Sequence, residues 1–178
     1  MKDRVISAHE PDMSREYKTV FSWCPSRSLL ASIRAYQRHP GSRNPFFVFA
    51  RKIAVLRHRF WSAVTGSDIP INTRIGGWLL LPHPSGVVIH HDALIGPNCL
   101  IFQQVTIGRG HVSGSVPKIG GHVDIGAGAK ILGTVKIGDH ARIGANAVVL
   151  QDVPESKTAV GIPAAIIETS VIHDITTR

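Results

Sequence analysis

The sequence predicts a three-sided parallel β-helix that follows a short helical segment. From Ile89 onward an aliphatic residue recurs at every sixth position, and a small or aliphatic residue usually follows four positions later. A period of six fits neither an amphipathic helix, with 3.6 residues per turn, nor a simple alternating strand. It fits a coil of three short faces, in which each aliphatic side chain points inward and stacks on its equivalent in the next coil.

The segment before residue 68 has helical spacing. Ser28 to Arg38 is predicted to form one helix, which His39-Pro40-Gly41 would end. Pro45 to Thr65 is predicted to form a second, with proline in its first turn and Gly66 just beyond its end. Its apolar face comprises Phe46, Phe49, Ile53, Leu56, Phe60 and Val64. We expect this face to cap the end of the solenoid, and docking on a membrane surface is the alternative.

Charge divides the chain near residue 67. The net charge is +8, and residues 1–67 carry 12 Lys and Arg against four acids, whereas residues 68–178 carry eight of each sign. We therefore predict a helical N-terminal segment, 1–67, and a β-helix domain, 68–178. A basic segment can attract nucleic acid, anionic lipid or a phosphorylated substrate. No run matches a nucleic-acid-binding module, so we expect no nucleic-acid partner.

Two irregularities interrupt the six-residue repeat. An early series, Ile69 to Val87, is two residues out of phase with Ile89, which predicts an insertion near residues 82–88. The step from Ile107 to Ile119 is twelve residues, and we interpret Arg109 to Pro117 as a loop that protrudes from one corner. Loops that interrupt a rigid solenoid often bind ligands. After Ile167 we expect a short irregular or strand-like end.

Cysteine usage and hydropathy indicate a cytoplasmic protein. Cys24 and Cys99 lie far apart and match no metal-binding or redox spacing, which favours two reduced thiols. Met1 to Glu10 lacks the apolar stretch of a secretory signal. No apolar run approaches the roughly 18 residues that a transmembrane helix needs. The spacing of His90, His91, His111 and His122 matches no zinc site that we recognise, so we expect no metal.

Five blocks of the repeat region carry a family pattern. They cover residues 81–89, 102–108, 125–133, 143–149 and 160–164, and they include Leu-Pro-His-Pro-Ser-Gly and Phe-Gln-Gln-Val-Thr. In order and content they resemble the serine acetyltransferases, a branch that includes relatives acting on saccharides. The resemblance implies a left-handed β-helix, a homotrimer, and transfer of an acetyl group from acetyl-CoA to a hydroxyl.

The resemblance also assigns catalytic roles. His83 has the position of the catalytic base, and Asp68 has that of the acid that orients it. An imidazole with a pKa near 6.5 suits partial removal of a hydroxyl proton in the transition state. The oxyanion that then forms needs a fixed N–H donor, and coenzyme A leaves as a thiol, so the chemistry requires no metal.

For coenzyme A the resemblance points to small residues and backbone on the later coils. Small side chains would let the pantetheine arm lie against a corner of the solenoid. The amide of Arg109 would donate to the oxyanion, and Lys157, Arg142 or Lys118 would meet a phosphate. The expected set is Gly108, Arg109, Ala127, Gly128, Ala145, Lys157, Thr158 and Gly161.

Two departures from the family leave the acceptor open. Serine acetyltransferases usually carry Asp before the catalytic His, to contact the amino acid, but this chain has Pro82. They also carry Arg in the protruding loop for the carboxylate of serine, but residues 113–117 contain no cation. The basic N-terminal segment and these missing contacts favour a saccharide hydroxyl. The match of the five blocks favours serine, and a non-catalytic or metal-dependent solenoid is the third possibility.

Overall fold

The computed structural model describes residues 6–12, Glu16, 22–110 and 116–168. Two helices, α1 (Pro25–Gln37) and α2 (Pro45–Thr65), precede a series of very short strands. The strands are β1 (Arg74–Ile75), β2 (Val88–Ile89), β3 (Leu94–Ile95), β4 (Leu100–Ile101), β5 (Thr106–Gly108), β6 (Lys118–Ile119), β7 (Asp124–Ile125), β8 (Lys130–Leu132), β9 (Lys136–Ile137), β10 (Arg142–Ile143), β11 (Val148–Val149), β12 (Thr158–Val160) and β13 (Ala165–Ile167). Within these ranges, neither helix combines the length and the apolar character that a membrane span requires.

The strands form three parallel sheets, one on each face of a prism. The first face contains β2, β5, β8 and β11, the second β1, β3, β6 and β9, and the third β4, β7, β10 and β12. The chain visits the faces in that order, and each strand pairs with its equivalent in the next coil. Single β-bridges between Asp68 and Val88 and between Leu80 and Leu100 add one more coil to the first and third faces, at the N-terminal end of the prism. The prediction of a left-handed parallel β-helix is thus confirmed.

The strand register locates each irregularity in the repeat. Val88 pairs with Thr106, which makes one regular coil of three hexapeptides. The coil that runs from Asp68 to its bridge partner Val88 is longer than this, so the predicted two-residue insertion is present. The coil that runs from Thr106 to its partner Lys130 is longer by a whole hexapeptide, which forms the protruding loop. Residues 111–115 of that loop lie outside the described part of the chain.

The helical boundaries nearly match the prediction, but the packing of α2 does not. Helix α1 begins at Pro25, three residues earlier than expected, because proline fits the first turn of a helix. Helix α2 has the predicted ends, and Gly66 terminates it in the left-handed conformation. The apolar face of α2, however, is exposed. Helix α1 already covers the end of the solenoid, so α2 packs on α1 with its opposite side.

Helix α1 is the cap of the β-helix. Leu29, Leu30 and Ile33 belong to the same buried cluster as the inward residues Ile69 and Ile75 of the first coil. The boundary near residue 67 therefore separates types of secondary structure, while the core continues across it.

Side chains of both helices bind the carbonyl groups at the open edge of the first coil. Arg34 donates from Nη1 to the carbonyl of Ile75 at 2.6 Å and from Nη2 to that of Gly76. Gln37 donates to the carbonyls of Ile71 and Thr73, both at 3.0 Å, and His58 Nε2 lies 2.8 Å from that of Ile69. A solenoid must end in unpaired strand edges, and these contacts give that edge the partners that a further coil would supply.

Replacing Arg34 with alanine should lower the free energy of unfolding by about 2–3 kcal/mol. The change leaves two carbonyl groups without their donor and removes the 3.0 Å ion pair with Glu16. Urea unfolding followed by circular dichroism measures the loss. Arg38→Ala is the matched control, since Arg38 follows α1 and is exposed. An equal loss in both variants would contradict the edge-binding role.

A segment that precedes α1 packs along the corner between the second and third faces. Asn98 is fully buried there, and its Nδ2 donates to the carbonyls of Ser7 and Glu10, both at 2.7 Å. Its Oδ1 accepts from the amide of Asp12 at 2.8 Å. The repeat pattern contained no signal for this contact, because the partners lie far apart in sequence and outside the repeat.

At the other end of the prism, β13 pairs antiparallel with β12. The short irregular or strand-like end that we expected after Ile167 falls, except for Glu168, outside the described residues. Residues 169–178 lie outside the described part of the chain.

Candidate active site

His83 lies at the corner where the chain passes from the third face to the first. The corner is the site of the two-residue insertion, and two prolines restrict its backbone. Gly86 donates from its amide to the carbonyl of Gly66 at 2.8 Å, and Gln104 donates to that of Ser85 at 2.9 Å. The backbone on both sides of the corner is therefore fixed, while the imidazole is exposed.

Asp68 lies one coil earlier at the same corner. It starts the first face two residues after Gly66, and its amide donates to the carbonyl of Val87 at 2.8 Å. Its side chain is exposed, like that of His83. Across the described residues the structure contains no hydrogen bond or ion pair between these two side chains. Catalytic hydrogen bonds are often long or absent until substrate binds, so their roles remain a prediction.

A column of small or turn-forming residues continues from the His83 corner along the prism. Gly86, Gln104, Gly128 and Asn146 occupy equivalent positions on successive coils, with φ of 69°, 58°, 74° and 56°. Amide hydrogen bonds of 2.9, 2.9 and 2.8 Å connect the successive levels. Since neighbouring strands lie about 4.8 Å apart, the column extends roughly 15 Å from the level of Gly86.

Four of the predicted coenzyme residues lie along this column. Ala127 and Gly128 are on its third level, and Ala145 is on its fourth. Gly161 is exposed beyond them, and its carbonyl accepts from the amide of Val148 at 3.0 Å. Ala127, Gly128 and Ala145 give this corner a stretch of small side chains along which an extended arm can lie.

The other four predicted coenzyme residues lie elsewhere in the chain. Gly108 and Arg109 are at the far edge of the first face, where an Arg109 nitrogen lies 4.0 Å from a carboxylate oxygen of Asp92. Lys157 pairs with Glu168, and the side chain of Thr158 is buried. A single chain therefore does not bring these four residues to His83.

Two polar groups lie beside the column for which the sequence predicted no role. Gln103 Oε1 is buried without a hydrogen-bond partner. Lys130 Nζ donates to the carbonyl of Gln104 at 2.6 Å and to Thr106 Oγ1 at 3.1 Å. The block that contains both glutamines identified the family, but only the fold shows that the Gln103 side-chain oxygen is buried beside the column.

Several histidines lie outside the His83 corner. His90, His91 and Asp92 place potential metal ligands within 4.8 Å of one another. The guanidinium of Arg109 is close to the same carboxylate and competes with a cation for it. His122 and His140 meet on another corner with their Nδ1 atoms 2.8 Å apart, and His111 lies outside the described residues. The expectation that no metal binds remains a prediction.

Comparison with known proteins identifies the family. Residues 117–151 match the family model of the bacterial transferase hexapeptide (six repeats). The serine acetyltransferase of Staphylococcus epidermidis is 40% identical over 169 residues, which cover 88% of this chain and 78% of that protein. This chain belongs to the serine acetyltransferase family.

The chain spans about half the length of two other serine acetyltransferases that it matches. That of Synechococcus elongatus is 46% identical over 112 residues, which cover 62% of this chain and 46% of the relative. A solved structure, described as serine acetyltransferase in complex with CoA, is 33% identical with a TM-score of 0.66. It covers 82% of this chain, which spans 57% of that structure. All three of these relatives are described as serine acetyltransferases.

Proposed function

We propose that this chain transfers the acetyl group of acetyl-CoA to the hydroxyl of serine. The observation that carries the proposal is the match to a serine acetyltransferase over 88% of the chain. A match of that extent includes both the His83 corner and the column of small residues. A related structure that contains CoA supports acetyl-CoA as the donor.

In the proposed mechanism His83 acts as a general base in a single displacement. Its imidazole takes the proton of the serine hydroxyl while the oxygen attacks the thioester carbonyl. The tetrahedral oxyanion accepts a hydrogen bond from a backbone amide, for which we propose Arg109. Collapse of this intermediate breaks the carbon–sulfur bond, and the imidazolium protonates the departing thiolate. Asp68, after rotation of its side chain, stabilises the imidazolium and holds one tautomer.

We propose that the working unit is a homotrimer. Gly108 and Arg109 lie at the far edge of the first face from His83, so one chain cannot complete the site. In a three-fold assembly, the His83 corner of one protomer can face that edge of its neighbour. The groove between protomers then receives both substrates, with residues 68–178 as the catalytic part.

Cys24 and Cys99 form no disulfide with each other, which agrees with a cytoplasmic location.

The direct test is release of free thiol from acetyl-CoA in the presence of serine. Full-length protein is mixed with acetyl-CoA and a thiol reagent, and serine is compared with sugars and nucleotide sugars. We expect release that depends on serine. Release with a sugar alone would overturn the proposed acceptor, and no release with any hydroxyl compound would overturn the activity.

Pro82→Asp should lower the KM for serine by roughly 10- to 100-fold. The family usually carries an acid at this position, and one charge-assisted hydrogen bond to the ammonium group is worth about 1.5–3 kcal/mol. Steady-state kinetics with serine measure the change. Pro82→Asn is the control, because it also removes the proline but adds no charge. Equal KM values for the two variants would show that the ammonium does not approach this corner.

A further inference from the structure

The outward side of α2 is an extended apolar stripe without a partner in the described structure. Phe46 is 72% exposed and Leu56 is 70% exposed. The remaining large residues of the stripe, also exposed, are Phe49, Ile53, Phe60 and Val64. They recur every three or four residues along a helix of 21 residues, so they share one side over about 30 Å. A stripe of this size is larger than scattered surface residues explain.

Aromatic rings extend this stripe at the C-terminal end of α2. Trp23 is 74% exposed, and its ring lies 5.5 Å from that of Trp61. Trp61 in turn lies 5.0 Å from Phe60. Tryptophan favours the interface between water and lipid, where an apolar ring and a polar N–H are both accommodated.

Cations border the stripe on both sides. At 100° per residue, Arg57 lies along one border, and Lys52 and Arg59 lie along the other. All three are exposed. Helix α2 contains no acidic residue, and neither does the whole segment 22–67. That segment holds eight cations: Arg27, Arg34, Arg38, Arg43, Arg51, Lys52, Arg57 and Arg59.

We propose that α2 docks in the plane of an anionic lipid bilayer, with its apolar stripe among the acyl chains. The bordering lysine and arginine side chains then reach the phosphate headgroups. The positive charge around the stripe favours a lipid bilayer over a second copy of the chain as its partner. Two copies that paired through this stripe would bring cations together with no acid from segment 22–67 to offset them, whereas anionic headgroups supply the opposite charge.

The docking has a direct consequence for the catalytic site. Helix α2 packs on α1, and α1 caps the first coil of the prism. The β-helix therefore extends away from the bilayer, and the His83 corner, on the coil nearest the cap, is held close to the membrane surface. This inference concerns where the protein acts and does not depend on the identity of the acceptor.

The test is flotation of the full-length protein with lipid vesicles. Vesicles of phosphatidylcholine and phosphatidylglycerol in equal parts are compared with vesicles of phosphatidylcholine alone. We expect the protein to float with the anionic vesicles only and to be released by high salt. Its tryptophan emission should shift to shorter wavelength on binding, and most of this shift should be lost in Trp23→Phe.

Two double variants separate the apolar and the electrostatic contributions. Phe49→Ser with Leu56→Ser should weaken binding at least about 100-fold, since two large side chains no longer enter the lipid. Arg57→Gln with Arg59→Gln should weaken it about 30-fold, at roughly 1 kcal/mol for each cation. Leu150→Ser and Lys136→Gln, exposed positions on the β-helix, are the controls and should bind normally.

The opposite outcomes are clear. Absence of flotation with anionic vesicles, or equal flotation with both kinds, would overturn the proposal. Sedimentation velocity tests whether a second copy of the chain covers the stripe instead. If the Phe49 and Leu56 double variant formed a smaller assembly than wild type, and wild type did not bind lipid, the stripe would be a self-association surface. Thiol release measured without lipid should be unchanged in all of these variants, which separates this test from that of the proposed function.

Discussion

Replacement of His83 with alanine should lower turnover by at least about 100-fold without unfolding the protein. The imidazole is the proposed acceptor of the hydroxyl proton. The side chain is exposed and makes no hydrogen bond within the described residues, so its removal should not disturb the fold. Thiol release at saturating serine and acetyl-CoA measures turnover, and thermal unfolding by circular dichroism checks the fold.

His9→Ala is the matched control for this prediction. His9 is also exposed, but it lies near Asp139 on another corner and we give it no catalytic role. It should keep turnover within a few-fold of wild type. If His83→Ala retained the wild-type rate, or if both variants lost activity equally, another group would have to be the base.

The repeat was predictable because every hexapeptide must meet the same structural requirement. An aliphatic residue must point inward on every face, so the period of six appears directly in the sequence. The same logic located the insertion at His83 and the protruding loop, since each shifts the phase of the aliphatic series. The register from Asp68 to Val88 and from Thr106 to Lys130 confirms both.

The packing of α2 could not be read from its own pattern. An amphipathic pattern predicts that one side is apolar, but not what that side contacts. The prediction that it covers the prism was wrong because Leu29 and Leu30 of α1 occupy that position. The contact of Asn98 with Ser7 could not be predicted either, because a single buried side chain leaves no repeating pattern in the sequence.

The candidate site was only partly predictable for a different reason. Sequence similarity placed His83, Asp68 and the column of small residues, and the fold puts these at one corner. Gly108 and Arg109 lie at another edge, and no pattern within one chain indicates how separate edges combine. In the proposed trimer a neighbouring protomer completes the site, and a local motif carries no information about that contact.

Replacement of Ile125 with alanine should cost about 2–5 kcal/mol of unfolding free energy. Ile125 is fully buried on β7, between Ile101 and Ile143 of the neighbouring coils. Each coil is stabilised mainly by its neighbours, so a cavity in a central coil weakens two interfaces at once. Urea unfolding at fixed protein concentration measures the loss, because the proposed trimer would make apparent stability depend on concentration. Leu150→Ala, an exposed aliphatic, should change stability by less than about 0.5 kcal/mol, and equal losses would contradict the stacked core.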